Sequence, residues 1–342
     1  MKKTLALLLS VVMLLSLCAC GKTTEQTEAK STEEAANSAP TEENSETVEE
    51  DKILIGYSPK TLVNEWWGVM GDAIKETVEA AGGELIAYDP QSDATVQATQ
   101  VNDMISMGID ALLIVPVDSQ GCRTIMKTCK DAGVFVVNID NVIGEDDYDV
   151  CDAIVASDNY SLGYISGEDV VTRYPDGANI AIVHTPISES CVIAVNAFWD
   201  AIKEKAADSS KYVEVTVQAG NGDTQQSFSV ATDILQAHDN IDVIFCVDDP
   251  TAMGVIQAIE DAGLTGKIGV YGKDASPDGK KAIVEGTLVH DAGQSPITIG
   301  KTGVERCLQL IAGDTDFEFN TSIPAFSVTI ENVHDYGIDG WQ

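Results

Sequence analysis

Apolar runs and helical patterns alternate regularly through residues 52–157. The segments between the apolar runs carry apolar residues at helical spacing and close on glycine, where a left-handed helix cap is expected. Strands that are apolar throughout and separated by helices form a parallel sheet covered on both faces. The predicted strands are ILIGY (53–57), ELIAY (84–88), ALLIVP (111–116) and VFVVNID (134–140), and the predicted helices are 66–81, 94–107 and 119–132.

The same alternation begins again after residue 157 and continues almost to the end of the chain. It predicts an α/β fold of two doubly wound lobes, each with a parallel sheet. Ligands of such sheets bind beyond the carboxyl ends of the strands, and two facing lobes turn that position into a cleft. The predicted strands are 179–184, 212–218, 242–249, 268–272, 287–293 and one near 325–331, and the predicted helices are 160–174, 190–206, 224–237, 251–262, 277–285 and 297–312.

The amino terminus has the pattern of a lipoprotein signal. Lys2 and Lys3 precede an apolar run that is too short to span a membrane and ends in LCACGK. Residues 1–19 are therefore predicted to be a signal peptide, and Cys20 is the predicted lipidation site. An ordinary secretory signal that ends near cysteines is the alternative. A diacyl anchor is stable, so we expect the protein at the extracellular face of the cytoplasmic membrane, or in the periplasm if the source has an outer membrane.

Residues 20–51 are predicted to form a disordered acidic tether behind the lipidated cysteine. From residue 21 to 51 the segment has no aromatic residue, ten acidic residues and two basic ones, so it has almost nothing to bury. The chain has a net charge of −35. With −8 in this segment and +2 from the signal lysines, −29 remains for residues 52–342. Such acidity excludes nucleic acid as a partner.

The sequence carries no signature of an enzyme, a metal site or a cofactor site. The four histidines show no metal-ligand spacing, and the glycine-rich segments match neither a phosphate loop nor a dinucleotide fingerprint. We expect no catalytic residue, no metal and no cofactor. Six cysteines lie beyond residue 51, and we interpret them mostly as small buried apolar residues, although disulfides remain open. They are Cys122, Cys129, Cys151, Cys191, Cys246 and Cys307.

Trp66 and Trp67 are adjacent at the start of a predicted helix, and two neighbouring indoles cannot both face its core. Core packing with one ring at the rim is one interpretation, and an aromatic platform for a ligand is the other. Polar residues follow the predicted strands in both lobes, where a single Asp is usually a helix cap or a turn residue. Carboxylates and amides that converge on one edge suit a polyhydroxylated ligand, and the C–H faces of a sugar pack on an indole. These residues are Asn64, Asp140, Asn141, Asp248, Asp274 and Gln294.

From residue 52 to 331 the chain resembles a type I periplasmic binding protein of the ribose- and galactose-binding group. The matching landmarks are VNEWW, VPVDS, NIDN, VASDNYSLG, GKDASPDGKKAIVEG and GQSP, in this order and spacing. The resemblance implies that Asn64, Trp66, Trp67, Asp140, Asp248, Asp274 and Gln294 occupy sugar-contacting positions. It also implies three hinge crossings, near residues 157, 294 and 322. The amino-terminal lobe is then 52–157 plus 295–322, and the carboxy-terminal lobe is 158–294 plus 323–342.

The sequence departs from the family pattern at two arginines. The helix after IVH has no basic residue before Lys203, and Ala194 lies near the position where the family usually has an arginine. Asn141 replaces the arginine of ribose-type proteins. We therefore expect a cleft that is more acidic than usual and unsuited to a sugar phosphate. A neutral polyol, a deoxy or amino sugar and a cationic ligand stay open, and Asp274 is expected to face water in the empty cleft.

The resemblance implies a solute-binding protein, expected to be a monomer, that delivers a small carbohydrate or polyol to the permease of a sugar ABC transporter. The alternative is a sensory protein that presents a sugar or a signalling furanone to a membrane receptor kinase. The two differ in the partner, which the sequence does not show. A repressor with this fold is excluded, because the start is an export signal and no basic helix-turn-helix is present.

Overall fold

Two α/β lobes make up the part of the chain that the structure, a computed structural model, describes, which is residues 52–342. Each lobe is built on a six-stranded sheet, which confirms the predicted fold class. The signal peptide of residues 1–19, the lipidation at Cys20 and the tether through residue 51 lie outside the described residues.

The first lobe is built from strands and helices that alternate along the chain. They are β1 (Leu54–Ser58), α1 (Glu65–Ala80), β2 (Glu84–Ala87), α2 (Ala94–Ser106), β3 (Ala111–Ile114), α3 (Arg123–Asp131), β4 (Phe135–Ile139) and β5 (Ala153–Ser157). A 3₁₀ segment, Glu145–Val150, precedes β5. The predicted helix 119–132 is shorter in the structure, and the other elements of this lobe match their predictions to within three residues.

The second lobe continues the alternation. It contains α4 (Asn159–Arg173), β6 (Ala178–His184), α5 (Glu189–Lys205), β7 (Tyr212–Ala219), α6 (Thr224–Ala237), β8 (Val243–Cys246), α7 (Asp249–Asp261), β9 (Gly269–Asp274), α8 (Pro277–Glu285) and β10 (His290–Gly293). The chain ends with α9 (Pro296–Ile311), β11 (Asn320–Ile323) and β12 (Phe326–Val328). Two more 3₁₀ segments are Ser209–Lys211 and Val333–Tyr336.

Parallel pairing dominates both sheets. The first sheet has the order β11-β5-β4-β3-β1-β2, and all its pairs are parallel. The second has the order β12-β10-β9-β8-β6-β7, with β12 alone antiparallel to its neighbour. In the first sheet Ile55 lies opposite Leu85 and Ala111. Because consecutive parallel strands end at the same edge, the loops after them share one side of each lobe.

Helix α1 shows how the sequence produces the local structure. Its cap is Asn64, whose side chain accepts a hydrogen bond from the backbone N–H of Trp66. Its buried face recurs at helical spacing and packs on the first sheet. Left-handed glycines follow α1, α2 and α3 as predicted, at Gly82, Gly108 and Gly133 with φ near +80°.

The chain crosses between the lobes three times. The crossings follow β5, β10 and β11, at residues 158, 294–295 and 324–325. They are joined by hydrogen bonds, from the Ser157 hydroxyl to Gln294 Oε1 at 2.6 Å and from the Asp158 N–H to the Ile323 carbonyl at 2.8 Å. Helix α9 packs on α1 and β4. Strand β11 ends at Ile323, one residue beyond the predicted lobe boundary at residue 322. Near the end of the chain, Trp341 packs on the core of the first lobe.

The cysteines between residues 52 and 342 are free thiols, and all six are buried. This burial confirms the interpretation of these residues as small apolar side chains. Burial also raises the pKa of the thiols, to about 12 for Cys122, Cys129 and Cys151, so these three side chains are inert at neutral pH.

Helices α4 and α5 approach so closely that only glycine fits between them. A Cβ atom on Gly163 would lie 1.9 Å from the carbonyl oxygen of Ala194, and one on Gly167 would lie 2.4 Å from that of Phe198. Helix α4 begins directly after the first crossing, which lies at the carboxyl edge of the second sheet. Its contact with α5 therefore holds the amino end of α5 beside the same edge.

A buried pair of carboxyl groups lies beneath the loop that follows β9. The carboxyl groups of Asp249 and Asp291 both lie against Gly279. A Cβ atom added to Gly279 would be 2.3 Å from Asp249 Oδ2 and 2.4 Å from Asp291 Oδ2. Asp249 also accepts a 2.8 Å hydrogen bond from the N–H of Ser276. Burial raises the pKa of both groups, since two neighbouring carboxylates in the interior cannot both be charged cheaply. Burial therefore favours a proton on the pair, and Asp249 anchors the loop through its bond to Ser276.

We predict that Gly163→Ala lowers the free energy of unfolding by about 3 kcal/mol, because the new methyl group meets backbone atoms that cannot move aside. Gly68→Ala in α1 is the matched control. A Cβ atom at Gly68 meets no atom within 4 Å, so this change should stabilise the protein by about 0.5–1 kcal/mol. Urea unfolding measures both, and equal effects would contradict the close contact of the two helices.

We predict that Asp291→Asn alters how stability depends on pH. The pKa of Asp291 is raised to about 7, so the folded state binds its proton more tightly than the unfolded chain does. That contribution is complete below about pH 4 and is lost as the pH rises toward 7. The stability of the Asn variant relative to the unmodified protein should therefore increase from pH 5 to pH 7, by up to about 1 kcal/mol per pH unit.

Urea unfolding at pH 5, 6, 7 and 8 measures this difference. The control is Asp278→Asn, which changes an exposed carboxylate on α8 and should leave the difference nearly flat across the range. A flat difference for Asp291→Asn as well would show that the buried pair does not hold a proton.

Candidate functional site

Two connected cavities lie between the lobes at the carboxyl edges of the sheets. The inner cavity has a volume of about 60 Å³ and the outer cavity about 820 Å³. Both are lined by the same central residues, Lys60, Asn64, Trp67, Asp248 and Asp274. The shared residues place the two cavities side by side, so a ligand in the inner cavity has the outer cavity beside it.

The structure brings all eight predicted ligand residues together in the wall of the inner cavity. The first lobe supplies the loop after β1, the start of α1 and the loop after β4, and the hinge supplies the residue after β10. The second lobe supplies the loop after β8 and the last residue of β9. These residues are Asn64, Trp66, Trp67, Asp140, Asn141, Asp248, Asp274 and Gln294. Convergence of polar side chains from separate strands is the geometry of a binding site rather than of isolated turns.

The two tryptophans have different environments. Trp66 is 3% exposed, and its ring meets that of Trp341 edge-on at a centroid distance of 5.5 Å. Trp67 is half-buried and lines both cavities, with the ammonium of Lys60 5.8 Å from its ring centroid. Trp66 therefore packs in the core beside the inner cavity, whereas Trp67 presents an aromatic surface to both cavities.

Asp140 is fixed by the second tryptophan. The indole Nε1 of Trp67 donates to Asp140 Oδ2 at 2.8 Å, which fixes the carboxyl group in the wall of the inner cavity. Burial raises the pKa of Asp140, while the Trp67 hydrogen bond and the positive charge of Lys273 act in the opposite direction. The backbone of Asp140 is left-handed, with φ at 63°, which turns its side chain toward the cleft side of the sheet edge.

Asn141 serves a contact between the lobes. Its Nδ2 donates to the Pro116 carbonyl at 2.8 Å, and its Oδ1 accepts from the hydroxyl of Ser188 at 2.7 Å. Ser190 adds a second bridge, because its hydroxyl donates to the Asp140 carbonyl at 3.0 Å and accepts from the N–H of Val142 at 3.1 Å. The serines precede and begin α5, so these bonds join the lobes directly.

The carboxylates of the second lobe also have partners in the protein. Asp248 caps α7 through its Oδ1, which accepts from the N–H of Thr251 at 2.9 Å. Asp274 Oδ1 accepts from Gln294 Nε2 at 2.6 Å, and its Oδ2 accepts from the Asp249 N–H at 3.3 Å. Asp274 is 4% exposed, so the expectation that it faces water in the empty cleft is wrong. Burial raises its pKa well above the ordinary value, and Lys273 acts in the opposite direction.

Backbone strain is concentrated at this edge of the molecule. Every non-glycine residue with positive φ between residues 52 and 342 lies at the carboxyl end of a strand or in the loop that follows it. They are Gln91, Ser92, Asp140, Asn221, Asp274 and Ala275, and all but Ala275 line one of the cavities. Such conformations cost free energy and are retained where the surrounding structure holds them, commonly at binding sites.

Two cations in the cleft were not found from the sequence. Lys60 lines both cavities, and Lys273 lines the inner one beside Asp274. The cleft is therefore less acidic than expected from the missing arginines. The sequence feature that could have identified Lys273 is its position directly after the apolar run IGVYG, which puts it at the same sheet edge as Asp274. Other polar or sulfur-bearing residues of the inner wall that were missed are Thr185, Ser188, Ser190 and Cys191.

The described residues show no metal centre, because no group of three or more His, Cys, Asp or Glu side chains among residues 52–342 could hold an ion. Within the same range, no helix is both long and apolar enough to cross a bilayer.

The chain is similar to known sugar-binding proteins over most of its length. It is 28% identical to the ribose import binding protein RbsB of Bacillus subtilis, over 77% of this chain and 83% of that protein. It is 27% identical to the D-allose-binding periplasmic protein of Escherichia coli, over 72% of this chain and 80% of that protein.

A solved structure shows the same likeness in three dimensions. An ABC transporter solute-binding protein from Bacillus halodurans with bound myo-inositol is 28% identical, with a TM-score of 0.76 over 83% of this chain and 97% of that one. These relatives are solute-binding proteins and not enzymes, in agreement with the prediction from the sequence. The family model for the periplasmic binding protein domain matches residues 55–315. The chain therefore belongs to the family of periplasmic binding proteins.

Proposed function

We propose that this protein captures a small carbohydrate or polyol between its lobes and delivers it to the permease of an ABC transporter. The observation that carries the proposal is the convergence of eight polar and aromatic side chains from both lobes on one cavity beside Trp67. The relatives support it, since they bind ribose, D-allose or myo-inositol by name.

The chemistry of the wall fits such a ligand. The Asp140 carboxylate accepts hydroxyl protons, the ammonium groups of Lys60 and Lys273 donate to hydroxyl oxygens, and the Trp67 indole packs on C–H groups. Bonds from both lobes to one ligand favour the closed arrangement of the lobes. Closure presents one continuous face to a permease, while the lipid at Cys20 keeps the protein, as a monomer, at the outer side of the cytoplasmic membrane.

Trp67→Phe should weaken binding of the sugar about tenfold, because it removes the donor that fixes Asp140 and part of the stacking surface. We expect it also to remove most of the change in tryptophan fluorescence during titration with D-ribose, D-allose or myo-inositol. Trp199→Phe is the matched control, since Trp199 lies on α5 against Phe198 and outside both cavities. If Trp199→Phe, and not Trp67→Phe, abolishes the fluorescence change, Trp67 is not the platform.

Cys20→Ser should prevent lipid attachment and leave either a soluble protein or an unprocessed precursor. Palmitate labelling in cells followed by membrane fractionation measures both outcomes, and Cys18→Ser is the control that should retain label and membrane association. Labelling that survives Cys20→Ser would disprove the anchor at this residue.

A further inference from the structure

The side chain of Lys273 is a buried cation that the protein leaves without a direct partner. It is 7% exposed at the end of β9 and lines the inner cavity. Among residues 52–342, no hydrogen bond or ion pair within 4.0 Å reaches its Nζ atom. The Nζ atom is not among the fully enclosed side-chain atoms that lack a partner, so the ammonium keeps access to the inner cavity.

The surroundings keep this lysine charged. Burial by itself would lower the pKa of Lys273, yet the pKa is raised overall, because the nearby ionisable groups Cys191, Asp274, Asp140 and Asp248 act in the opposite direction. Of these, the Cys191 thiol is neutral at neutral pH, since burial raises its own pKa, so the carboxyl groups are the ones that favour the ammonium there. An ammonium has three donors and no acceptor. With no donor used by the described protein, the ammonium can donate to an acceptor that enters the inner cavity.

A second group without a partner among the described residues lies in the same wall. Thr185 is 2% exposed, lines the inner cavity, and its hydroxyl oxygen has no hydrogen-bond partner among the described residues. The hydroxyl can donate or accept, whereas the ammonium can only donate. The two groups together suit a ligand whose hydroxyl oxygens alternate between both roles.

The charges of the wall favour a neutral ligand. Three carboxyl groups, those of Asp140, Asp248 and Asp274, are opposed by the ammonium groups of Lys60 and Lys273. Since the pKa of Asp274 is raised well above its ordinary value, the negative charge is smaller than the count of carboxyl groups suggests. A cationic ligand would meet an ammonium in the interior, and an anionic one would meet carboxylates.

We propose that Lys273 is a specificity-determining residue, whose ammonium donates to hydroxyl or ring oxygens of a neutral cyclic sugar or polyol and rejects the corresponding amino sugar. This inference rests on the proposed function. From the sequence, a cationic ligand stayed open because two arginines of the family are absent. Lys273 of β9 supplies positive charge and hydrogen-bond donors in their place, so a cationic ligand is disfavoured.

The test compares Lys273→Met with the unmodified protein by isothermal titration calorimetry. The probes are D-ribose, D-allose and myo-inositol, each beside an amino-deoxy form. We expect at least one neutral probe to bind, its amino form to bind at least tenfold more weakly, and Lys273→Met to weaken the neutral probe about tenfold to a hundredfold. The preference for the neutral over the amino form should shrink at least tenfold in the variant.

The control is Lys267→Met, which removes an exposed lysine from the loop before β9 and should leave both affinities unchanged. Thermal unfolding checks that the variants fold, and Lys273→Gln replaces Lys273→Met if the latter does not. An unchanged preference in the Lys273 variant, or tighter binding of the amino form by the unmodified protein, overturns this inference and leaves the proposed function standing. Failure of every probe to bind would instead count against the proposed function and this inference together.

Discussion

The cleft depends on one constraint, the hydrogen-bonded convergence of three chain crossings at the edge where two parallel sheets end. Ser157 bonds to Gln294, and Asp158 bonds to Ile323, so each bond joins two crossings. Gln294 continues the connection to Asp274 at 2.6 Å. The carboxyl ends of the two sheets therefore face each other across a short pivot. Polar loop residues of both lobes meet there, and a ligand between them is within reach of both.

This arrangement makes the charges of the cleft interdependent. Asp274 is held by Gln294 and by the N–H of Asp249, and Asp249 in turn faces Asp291 in the interior. Each carboxyl group is buried, so each raises the cost of ionising the next. Two buried lysines oppose these carboxyl groups: Lys280 acts on Asp249 and Asp291, and Lys273 acts on Asp274 and Asp140. Of the two, Lys273 lines the inner cavity, which makes its ammonium the donor to a ligand.

Much of this could be predicted from the sequence, and the reasons for the failures are physical. The apolar runs and glycine caps predicted the strands and helices of both lobes, and the carboxyl-end rule found Asn64, Asp140 and Asp274. It missed Lys273, since a lysine after an apolar strand is ordinarily a surface residue and only the packing of the second lobe buries it. The burial of Asp274 depends on Gln294, twenty positions away, and that of Trp66 depends on Trp341 from the other end of the chain. Contacts between distant residues leave no local pattern.

The bonds between the lobes also bear on how a ligand could act. Asn141 and Ser188, with Asp140 and Ser190, already join the lobes without any ligand atom. A ligand can shift the balance between open and closed forms only through contacts that it gains in the closed form. Since these protein–protein bonds stabilise the contact between the lobes, the ligand need supply only the remaining free energy of closure. It does so at the groups of the same inner wall that have no hydrogen-bond partner among residues 52–342, Lys273 and Thr185. Closure and selection of the ligand thus depend on different residues of the same wall.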